Sequence, residues 1–508
     1  MVTASPSASS SALLDVPLSQ ESATSLFPRS SFLILNPPPA ETDITLTLDA
    51  SPYYTTTSSS KHKLQGFKLI PDGFHVYTIT GSAAGAIPLQ GVLSFTRGHQ
   101  VHLRTISSST GTFVAPDQPS SSSRVYCNPL QPLQPETIIS IDQLRTSDPF
   151  LIPYPHTTRS AWLKATSHLQ DERVGPSIVT RVCGIDEWTA DAHVDSFTEV
   201  EAVPSHLSSS SSSKLSVAEQ RLEDQLRSGG SGSRATANTL HFTPFDLKRS
   251  WKVGTVGSEL TRWSVDKSWL LADMVQRAGD LDHLLAEFEL AFVLFHRLHS
   301  PACLTHWTSL LSLFSRSAHA CSRAPAHFSA HPADPRSKDT SSSSPSSSIE
   351  KEINNTLPRN THVQFLQTLL AQLQLIVVVQ SQTQQSDKDF FSTLHPTLET
   401  DLLRELAILR RSISSGLASR AATQRSAMRY GGGGRNDQQN AREEQDDEEE
   451  EIQSLLAAWR SLSHFSSRAF GWALDEELDE EAEVREDEEA EEGEDAPVVV
   501  DLDDDEYG

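Results

Sequence analysis

The sequence predicts an α+β protein in which a small antiparallel β domain precedes an all-helical domain. Up to about residue 106, apolar residues alternate with polar ones over short runs, which is typical of half-buried strands. From residue 241 onward they recur every three or four residues, which is typical of amphipathic helices. Serine-rich stretches separate these regions, and an acidic segment ends the chain.

The β domain is predicted from short apolar or alternating runs that turn residues bound. The runs are Phe32–Leu35, Ile44–Leu48, Phe67–Ile70, Phe74–Ile79, Val92–Phe95 and Val101–Ile106. Pro71-Asp72-Gly73 and Arg97-Gly98 each lie between two consecutive runs. Their turn chemistry predicts two β-hairpins.

The strongest helical signal is a pair of amphipathic helices between Asp280 and Ser317. Ser300 can cap the second helix, and Pro301 suits its first position, where a missing amide hydrogen costs nothing. So much apolar surface indicates a packing role rather than a reaction centre. Further helices are predicted from Thr157, along Leu260–Met274 with Gly279 at its end, and along Val363–Val379, Leu398–Ile413 and Ile452–Trp472.

Composition divides the chain into ordered and disordered regions, because serine, glycine and acidic runs bury too little apolar surface to fold. The prediction is a disordered N-terminus (1–30), a β-rich domain with serine-rich loop insertions (31–204), a Ser/Gly linker (205–240), a helical domain (241–472) and an acidic disordered tail (473–508). Disordered inserts are predicted within the helical domain near 324–360 and 425–451.

The net charge of −26 is concentrated at the C-terminal end. Residues 441–508 contain 28 acidic and 4 basic side chains, which leaves 39 acidic and 37 basic ones elsewhere. A nearly neutral body lacks the basic face of a nucleic-acid-binding protein, so no direct nucleic-acid contact is expected. The acidic end would instead attract basic proteins.

Cysteine spacing and hydropathy predict a soluble intracellular protein. The cysteines Cys127, Cys183, Cys303 and Cys321 form no C-x-x-C pair, which favours reduced thiols. The N-terminus lacks the features of a secretory signal. The longest apolar runs, near Phe288–Leu298 and Leu369–Val379, are too short or interrupted to cross a bilayer, so no membrane association is expected.

The sequence shows no set of residues typical of a catalytic, metal or cofactor site. Ser264 and Lys267 match the short S-x-x-K pattern of some acyl enzymes, but the companion motifs are missing. His296 and His299, three residues apart, fit a helix surface or helix end better than a metal site. The glycines have neither Walker nor dinucleotide spacing. No catalytic residue, metal or cofactor is therefore predicted.

Several segments, in this order, carry a family resemblance. They are SFLILNPP at Ser31–Pro38, GFKLIPDGFHV at Gly66–Val76, DPFLIPYPHTTRSAW at Asp148–Trp162, TRWSVDKSWLL at Thr261–Leu271, and the long helical segment at Leu284–Ser317. Through them the chain resembles the Aar-two family of splicing factors, which assemble the U5 small nuclear ribonucleoprotein (U5 snRNP). The serine linkers, the Gly/acidic insert and the acidic tail depart from the shorter family pattern.

The resemblance implies a β-sandwich-like N-terminal domain and a helical C-terminal domain without catalytic activity. It implies binding to the large central scaffold protein of the spliceosome (Prp-eight), near that protein's RNase H-like and Jab/MPN-like domains. Such binding would keep a helicase from docking too early, with release linked to phosphorylation. The implied location is the cytoplasm and nucleus. The serine runs at 208–213 and 341–348 offer phosphorylation sites.

Two segments are candidate partner contacts. Tyr154 lies between two rigid prolines ahead of Trp162, and tyrosine and tryptophan are enriched at interfaces. The alternative is a corner that packs both aromatics between the two domains. Val498, Val499 and Val500 form a β-prone island that could add a strand to a partner's sheet or bind a small ubiquitin-like modifier. The alternative there is a solvated acidic tail.

The function predicted is therefore that of a monomeric, non-enzymatic assembly factor of the U5 snRNP. An alternative is an acidic nuclear adaptor or histone-binding protein that acts through its tail. A hydrolase with scattered Ser, His and Asp residues is a weaker alternative, since no nucleophile elbow follows a strand.

Overall fold

The computed structural model describes residues 26–27, 30–36, 44–51, 54–56, 65–80, 90–96, 100–105, 124–126, 145–183, 187–189, 193–194, 239–322, 346–382, 391, 397–430 and 437–474. Within them the predicted α+β class is confirmed: strands predominate before residue 154 and helices after residue 257. Three features named from the sequence lie outside these ranges: a short polar helix predicted at Val217–Leu226, Cys127 and Val498–Val500.

The strands and helices are numbered in chain order. The strands are β1 (Ser31–Asn36), β2 (Ile44–Leu48), β3 (Tyr54–Thr56), β4 (Gly66–Ile70), β5 (Gly73–Thr80), β6 (Gln90–Thr96), β7 (Gln100–Thr105), β8 (Arg124–Tyr126), β9 (Leu151–Pro153), β10 (Glu187–Thr189), β11 (His193–Val194) and β12 (Thr239–Leu240). The helices are α1 (His156–Ala165), α2 (Val174–Cys183), α3 (Ser258–Val265), α4 (Ser268–Ala278), α5 (Leu281–Leu298), α6 (Pro301–Ser315), α7 (Ala318–Ser322), α8 (Ser346–Thr356), α9 (Thr361–Gln382), α10 (Leu398–Tyr430) and α11 (Asp437–Phe470).

Two five-stranded sheets form the N-terminal part. Sheet A has the order β8-β7-β1-β4-β9, and sheet B has the order β10-β6-β5-β2-β3. Sheet B is antiparallel throughout. Sheet A is mixed, because β1 pairs with β7 and β4 pairs with β9 in parallel. The parallel pairs arise where the chain leaves sheet A and later returns to it. The apolar–polar alternation within a single strand does not reveal which strand it pairs with.

Both predicted hairpins are wrong. β4 belongs to sheet A and β5 to sheet B, so the Pro71-Asp72-Gly73 turn carries the chain between sheets. β6 and β7 are likewise in different sheets. At the first corner the Pro71 carbonyl accepts hydrogen bonds from the side chains of His75 and Thr96. Turn residues reverse or bend the chain, but packing decides which strand it then pairs with.

Sheet B is the middle layer of the molecule. On β5, Tyr77 and Ile79 pack with sheet A residues such as Phe67, whereas Phe74 and Val76 join the core of the helical domain. This alternation follows from the two-residue period of a strand. The helical core therefore rests directly on one face of the sandwich.

The predicted helix pair is confirmed, together with the predicted cap at Ser300. Asp280 accepts a hydrogen bond from the His283 amide at 2.8 Å at the start of α5. His299 ends that helix with a left-handed φ of 54°. Ser300 then accepts a hydrogen bond from the Cys303 amide at the start of α6. Local sequence fixes these caps, because each uses donors and acceptors within one turn.

The helix expected along Leu260–Met274 is two helices, α3 and α4. Asp266 separates them, because its carboxylate accepts hydrogen bonds from the amides of Ser268 and His319. Such a carboxylate caps a new helix start in the manner of an N-cap. Gly279 ends α4 with a φ of +118°, as predicted.

Helices also occupy stretches for which the sequence indicates none. α2 lies in a mixed stretch that gave no clear pattern, and α8 lies within the insert expected near 324–360. α10 continues to Tyr430, and α11 begins at Asp437, inside the insert expected near 425–451. Charge and serine content disfavour a packed core but do not prevent a helical backbone.

α9 is the one described helix that is long and apolar enough to cross a membrane, by length and composition alone, over Thr361–Ser381. It packs against α1 and α11. Phe365, Leu369 and Leu373 are buried within the helical core. This position explains its apolar character, because a helix enclosed on several sides is hydrophobic around much of its circumference.

Candidate functional site at the domain junction

Tyr154 lies inside the sandwich. Only 1% of its surface is exposed, and its hydroxyl donates a hydrogen bond to Asp49 Oδ2 at 2.8 Å. The same carboxylate contacts His75 Nδ1 at 2.6 Å and accepts a hydrogen bond from the Val76 amide at 2.8 Å. Since β2 is followed by Asp49 and β9 by Tyr154, this network ties sheet B to sheet A.

Burial, followed by the charge and hydrogen bond of Asp49, raises the pKa of Tyr154 well above its ordinary value. A phenol held neutral in this way donates a hydrogen bond and takes no part in acid–base exchange near neutral pH. Asp49 itself adopts a left-handed φ of 51°. Asp49, His75 and Tyr154 are all buried, so the network pins the sheets and presents no reactive group to a ligand.

Trp162 lies between sheet B and the helices. It is 1% exposed, its Nε1 donates a hydrogen bond to the Phe74 carbonyl at 3.0 Å, and its ring stacks on that of Phe74. α1, which carries Trp162, packs on its other side against α9. The position of Trp162 matches the corner that joins the domains, whereas Tyr154 packs between the two sheets of the β domain. Partner contact by Tyr154 or Trp162 remains a prediction, as does contact by Val498–Val500.

Glu289 is a buried carboxylate that joins α5 to the segment between α1 and α2. It accepts hydrogen bonds from the amides of His168, at 3.0 Å, and Leu169, at 2.9 Å. It also accepts one from Ser167 Oγ at 3.1 Å and contacts His168 Nδ1 at 2.8 Å. Four donors on one buried carboxylate compensate the cost of removing its charge from water.

The charge on His168 contributes to this clamp. Burial lowers the pKa of His168, but the hydrogen bond and charge of Glu289, with Asp282 and Asp171 nearby, outweigh burial and raise it overall. Asp282 lies 3.7 Å from His168 Nε2 and is more than half exposed. The clamp is therefore strongest when the imidazole is protonated.

Glu287, two residues earlier on α5, makes a second clamp. Its carboxylate pairs with Arg181 from α2 and accepts a hydrogen bond from Thr243 Oγ1 at 2.5 Å. His306 Nε2 lies 3.8 Å away. Burial alone would raise the pKa of Glu287, but His306, Arg181 and the Thr243 hydrogen bond together hold it below its ordinary value.

Two glycines let the layers approach closely. A Cβ atom at Gly91 of β6 would lie 2.6 Å from Leu298 of α5. A Cβ atom at Gly175 of α2 would lie 2.9 Å from Phe95 of β6 and 2.0 Å from the Leu169 carbonyl. Both contacts are shorter than a real side chain permits, so the junction requires glycine at these positions.

Sequence reasoning missed both clamps, although a signal was available. Glu287 and Glu289 stand in an otherwise apolar run of α5, where a charged residue is costly unless it has partners. Periodicity marked the stripe but could not identify those partners, because Ser167–Leu169, Arg181 and Thr243 are distant in sequence.

The S-x-x-K pattern has a structural role. Lys267 Nζ contacts Ser250 Oγ at 2.9 Å and the carbonyl oxygen of Ser264, while the Ser264 hydroxyl donates to the Thr261 carbonyl. Burial, with a smaller contribution from Arg316, lowers the pKa of Lys267 to about 8. Ser250 is itself buried and donates to the Trp263 carbonyl at 2.6 Å. Lys267 thus ties the loop before α3 to the α3–α4 break.

The described residues contain no group of three or more His, Cys, Asp or Glu side chains arranged to hold a metal ion. His296 and His306 are buried at separate places along α5 and α6. Burial lowers the pKa of His296 well below its ordinary value and raises that of Cys303 to about 12, which makes this thiol a poor nucleophile.

Comparison with protein-family models gives two matches that together cover most of the chain. The model of the AAR2 N-terminal domain matches residues 29–184, which contain both sheets except for strand β10, and the helices α1 and α2. The model of the AAR2 C-terminal repeat region matches residues 242–475, which contain α3 to α11.

Proposed function

Because the chain belongs to the AAR2 family and so has a splicing-related role in U5 snRNP assembly, we propose that it is a non-enzymatic chaperone of the large spliceosomal scaffold protein (Prp-eight). It binds near the scaffold's RNase H-like and Jab/MPN-like domains. While bound, it keeps the helicase of the mature particle from docking. Membership of the family supports the choice of partner, and the rigid junction is the observation that supports the mode of action.

The junction supports this proposal through preorganisation. A chaperone that holds two domains of its partner gains affinity if its own two domains are fixed before binding, since less freedom is lost on association. Glu287 and Glu289 fix the helical domain against the segment after α1, and Trp162 fixes α1 against sheet B. Exclusion of the helicase then follows from mass action, because each ligand lowers the occupancy of the other.

Release, location and stoichiometry complete the proposal. Phosphorylation within the serine runs at 208–213 and 341–348 would add negative charge beside the bound partner and weaken the complex by repulsion. The protein acts as a monomer, in the cytoplasm and nucleus. No cofactor is needed, because the work done is steric.

The experiment is a binding competition. A purified scaffold fragment that contains the RNase H-like and Jab/MPN-like domains is titrated with the full chain by calorimetry, and helicase is then added to the complex. We expect a one-to-one complex and a rise in the apparent helicase Kd in proportion to chaperone concentration. Helicase affinity that does not change with chaperone concentration would overturn the mechanism.

A truncated chain separates this proposal from the tail-based alternative. Removal of residues 475–508 leaves the buried side chains of Trp472 and Leu474 in place. The proposed chaperone retains most of its scaffold binding after this truncation. An acidic adaptor or histone-binding protein would lose its partner, and scaffold binding that disappears with the tail would favour that alternative.

A further inference from the structure

One side of α9 reaches the surface without a single charged residue. Residues 361–382 contain no Asp, Glu, Lys or Arg. Gln367 and Ser381 are exposed, and the half-buried side chains beside them are Val363, Leu370, Gln374 and Val377. About a quarter to a third of the surface of a soluble protein is usually charged. Because the centres of protein–protein interfaces are depleted of charge, this side of α9 has the composition of an interface.

The surface positions of α9 are spaced as in a coiled coil. Val363, Leu370 and Val377 are seven residues apart, and the alternate positions are occupied by Gln367, Gln374 and Ser381. With steps of four and three residues, all six positions fall within an arc of about 80° and extend over about 27 Å of helix. This is the spacing of the two inner positions of a heptad repeat, against which a second helix packs. The six positions are called the α9 seam below.

Contacts on the opposite side of α9 hold the seam outward. The Phe365 ring stacks on that of Phe314, with the centroids 4.2 Å apart. Gln372, unlike the seam glutamines, is buried and accepts a hydrogen bond from Trp307 Nε1 at 2.9 Å. His362 Nε2 lies 3.1 Å from the carbonyl oxygen of Phe314. The seam is therefore a preformed surface, and a partner that binds it does not have to order it.

The two helices beside the seam carry basic side chains and no acidic ones. α9 packs against α1 and α11. α1 and residues 452–470 of α11 contain no Asp or Glu, and their basic residues are Arg159, Lys164, Arg460 and Arg468. Within the described part of the chain none of these four forms an ion pair, whereas Arg404 on α10 is paired with Asp401. In a chain with a net charge of −26, this region is complementary to an acidic partner.

We propose that the α9 seam is the docking site for an acidic amphipathic helix of another protein. The apolar stripe of that helix packs on Val363, Leu370 and Val377. Polar side chains within the stripe pair with Gln367 and Gln374 and so fix the register, as polar residues at inner heptad positions do. Acidic residues on either side of the stripe face the basic side chains of α1 and α11. The inference does not rest on the proposed chaperone function, because it concerns a surface outside the domain junction.

Charge favours this occupant over two others. A second copy of the chain brings the same basic side chains, so two seams face to face place like charges beside each other. A single-stranded RNA binds where cations and aromatic rings follow its path. The seam itself consists of aliphatic, amide and hydroxyl side chains. An acidic helix satisfies both the apolar seam and the basic side chains that flank it.

A designed helix tests the seam in the full chain. The probe is a fluorescently labelled peptide of three Gln-Ala-Ala-Leu-Glu-Lys-Glu repeats, with glutamine and leucine at the inner positions and glutamate beside them. The control peptide has its glutamates and lysines exchanged. By fluorescence anisotropy we expect the acidic peptide to bind one-to-one and at least tenfold more tightly than the basic one. Equal affinities, or no saturable binding of the acidic peptide up to about 1 mM, would overturn the proposal.

Substitutions on the seam locate the binding. Gln367→Glu with Gln374→Glu keeps the side-chain shape and places two negative charges on the seam, so we expect at least tenfold weaker binding of the acidic peptide. The matched control, Gln276→Glu with Asn354→Asp, adds the same charge at exposed positions of α4 and α8 and should change the affinity less than twofold. Lys164→Glu with Arg460→Glu should remove the preference for the acidic peptide. If the seam variant binds as tightly as the control variant, the peptide docks elsewhere and the proposal fails.

Two further measurements test the rival occupants. Analytical ultracentrifugation of the chain alone should show a monomer, and a dimer that the seam variant dissociates would assign the seam to a second copy. Anisotropy with a single-stranded 20-nucleotide RNA should give an affinity at least tenfold below that for the acidic peptide. RNA binding that is tighter than peptide binding and is weakened by the seam variant would assign the seam to nucleic acid. Either assignment overturns the proposal.

Discussion

The substitution Glu289→Gln tests the domain junction most directly. Glutamine has nearly the shape of glutamate, so the change creates no cavity and leaves the apolar packing of α5 in place. It replaces one acceptor oxygen with an NH₂ group. With the amide oxygen turned toward the backbone N–H groups of His168 and Leu169, the NH₂ faces Ser167 Oγ and His168 Nδ1. The protonated imidazole of His168 is then left without an acceptor at Nδ1.

The expected cost is about 3 kcal/mol. An orphaned buried donor costs about 1–3 kcal/mol, and the remaining hydrogen bonds lose the added strength of a charged acceptor. Glu289→Ala removes both oxygens and should cost roughly 5 kcal/mol. The matched control is Asp282→Asn, which removes an exposed carboxylate 3.7 Å from the same histidine and should cost less than about 0.5 kcal/mol.

Urea unfolding followed by tryptophan fluorescence measures the global effect. Hydrogen exchange of residues 166–170 measures the local one, where about 3 kcal/mol corresponds to a roughly hundredfold loss of protection. If Glu289→Gln lies within about 0.5 kcal/mol of the wild type, or Asp282→Asn is as damaging, the clamp does not hold the domains together.

Three further predictions address the same layers. Gly91→Val should destabilise the protein by about 1–3 kcal/mol, because its side chain enters the space of Leu298, and a thermal melt measures this. Tyr154→Phe should cost about 1–2 kcal/mol in urea unfolding through loss of the hydrogen bond to Asp49, and no loss would show that the network is dispensable. His168→Gln should be pH-dependent: the raised pKa gives His168 a stabilising charge below about pH 6.5 that is lost as pH rises through the folded-state pKa. Wild type and variant should therefore differ more at pH 5.5 than at pH 8.5, and the reverse order would contradict the clamp.

Local signals in the sequence sufficed for elements whose causes are local. Capping by Asp280 and Ser300 was predictable because the donors lie within one turn of the acceptor. Gly279 was recognisable as a helix end for the same reason. The turn at Pro71-Asp72-Gly73 was also recognised, but the prediction of a hairpin there was wrong, because strand pairing depends on the other sheet.

The domain junction shows why the remaining contacts could not be predicted from the sequence. The sequence identified Tyr154 and Trp162 as candidate partner contacts. Their burial, however, depends on Asp49 and Phe74, which lie about a hundred residues earlier in the chain. The Glu289 clamp joins groups separated by about 120 residues. No local sequence pattern predicts such a long-range contact, because the partners of a side chain depend on how whole elements pack.

The sequence by itself determined the α+β class, the helix caps, the acidic end and, through segments in a shared order, the family. Only the tertiary structure decided which sheet each strand joins, that Tyr154 and Trp162 are buried, and that Glu287 and Glu289 lock the domains. The physical reason is range: capping, periodicity and charge act between neighbours along the chain, whereas burial and hydrogen-bond partners at the junction are created only when distant segments pack.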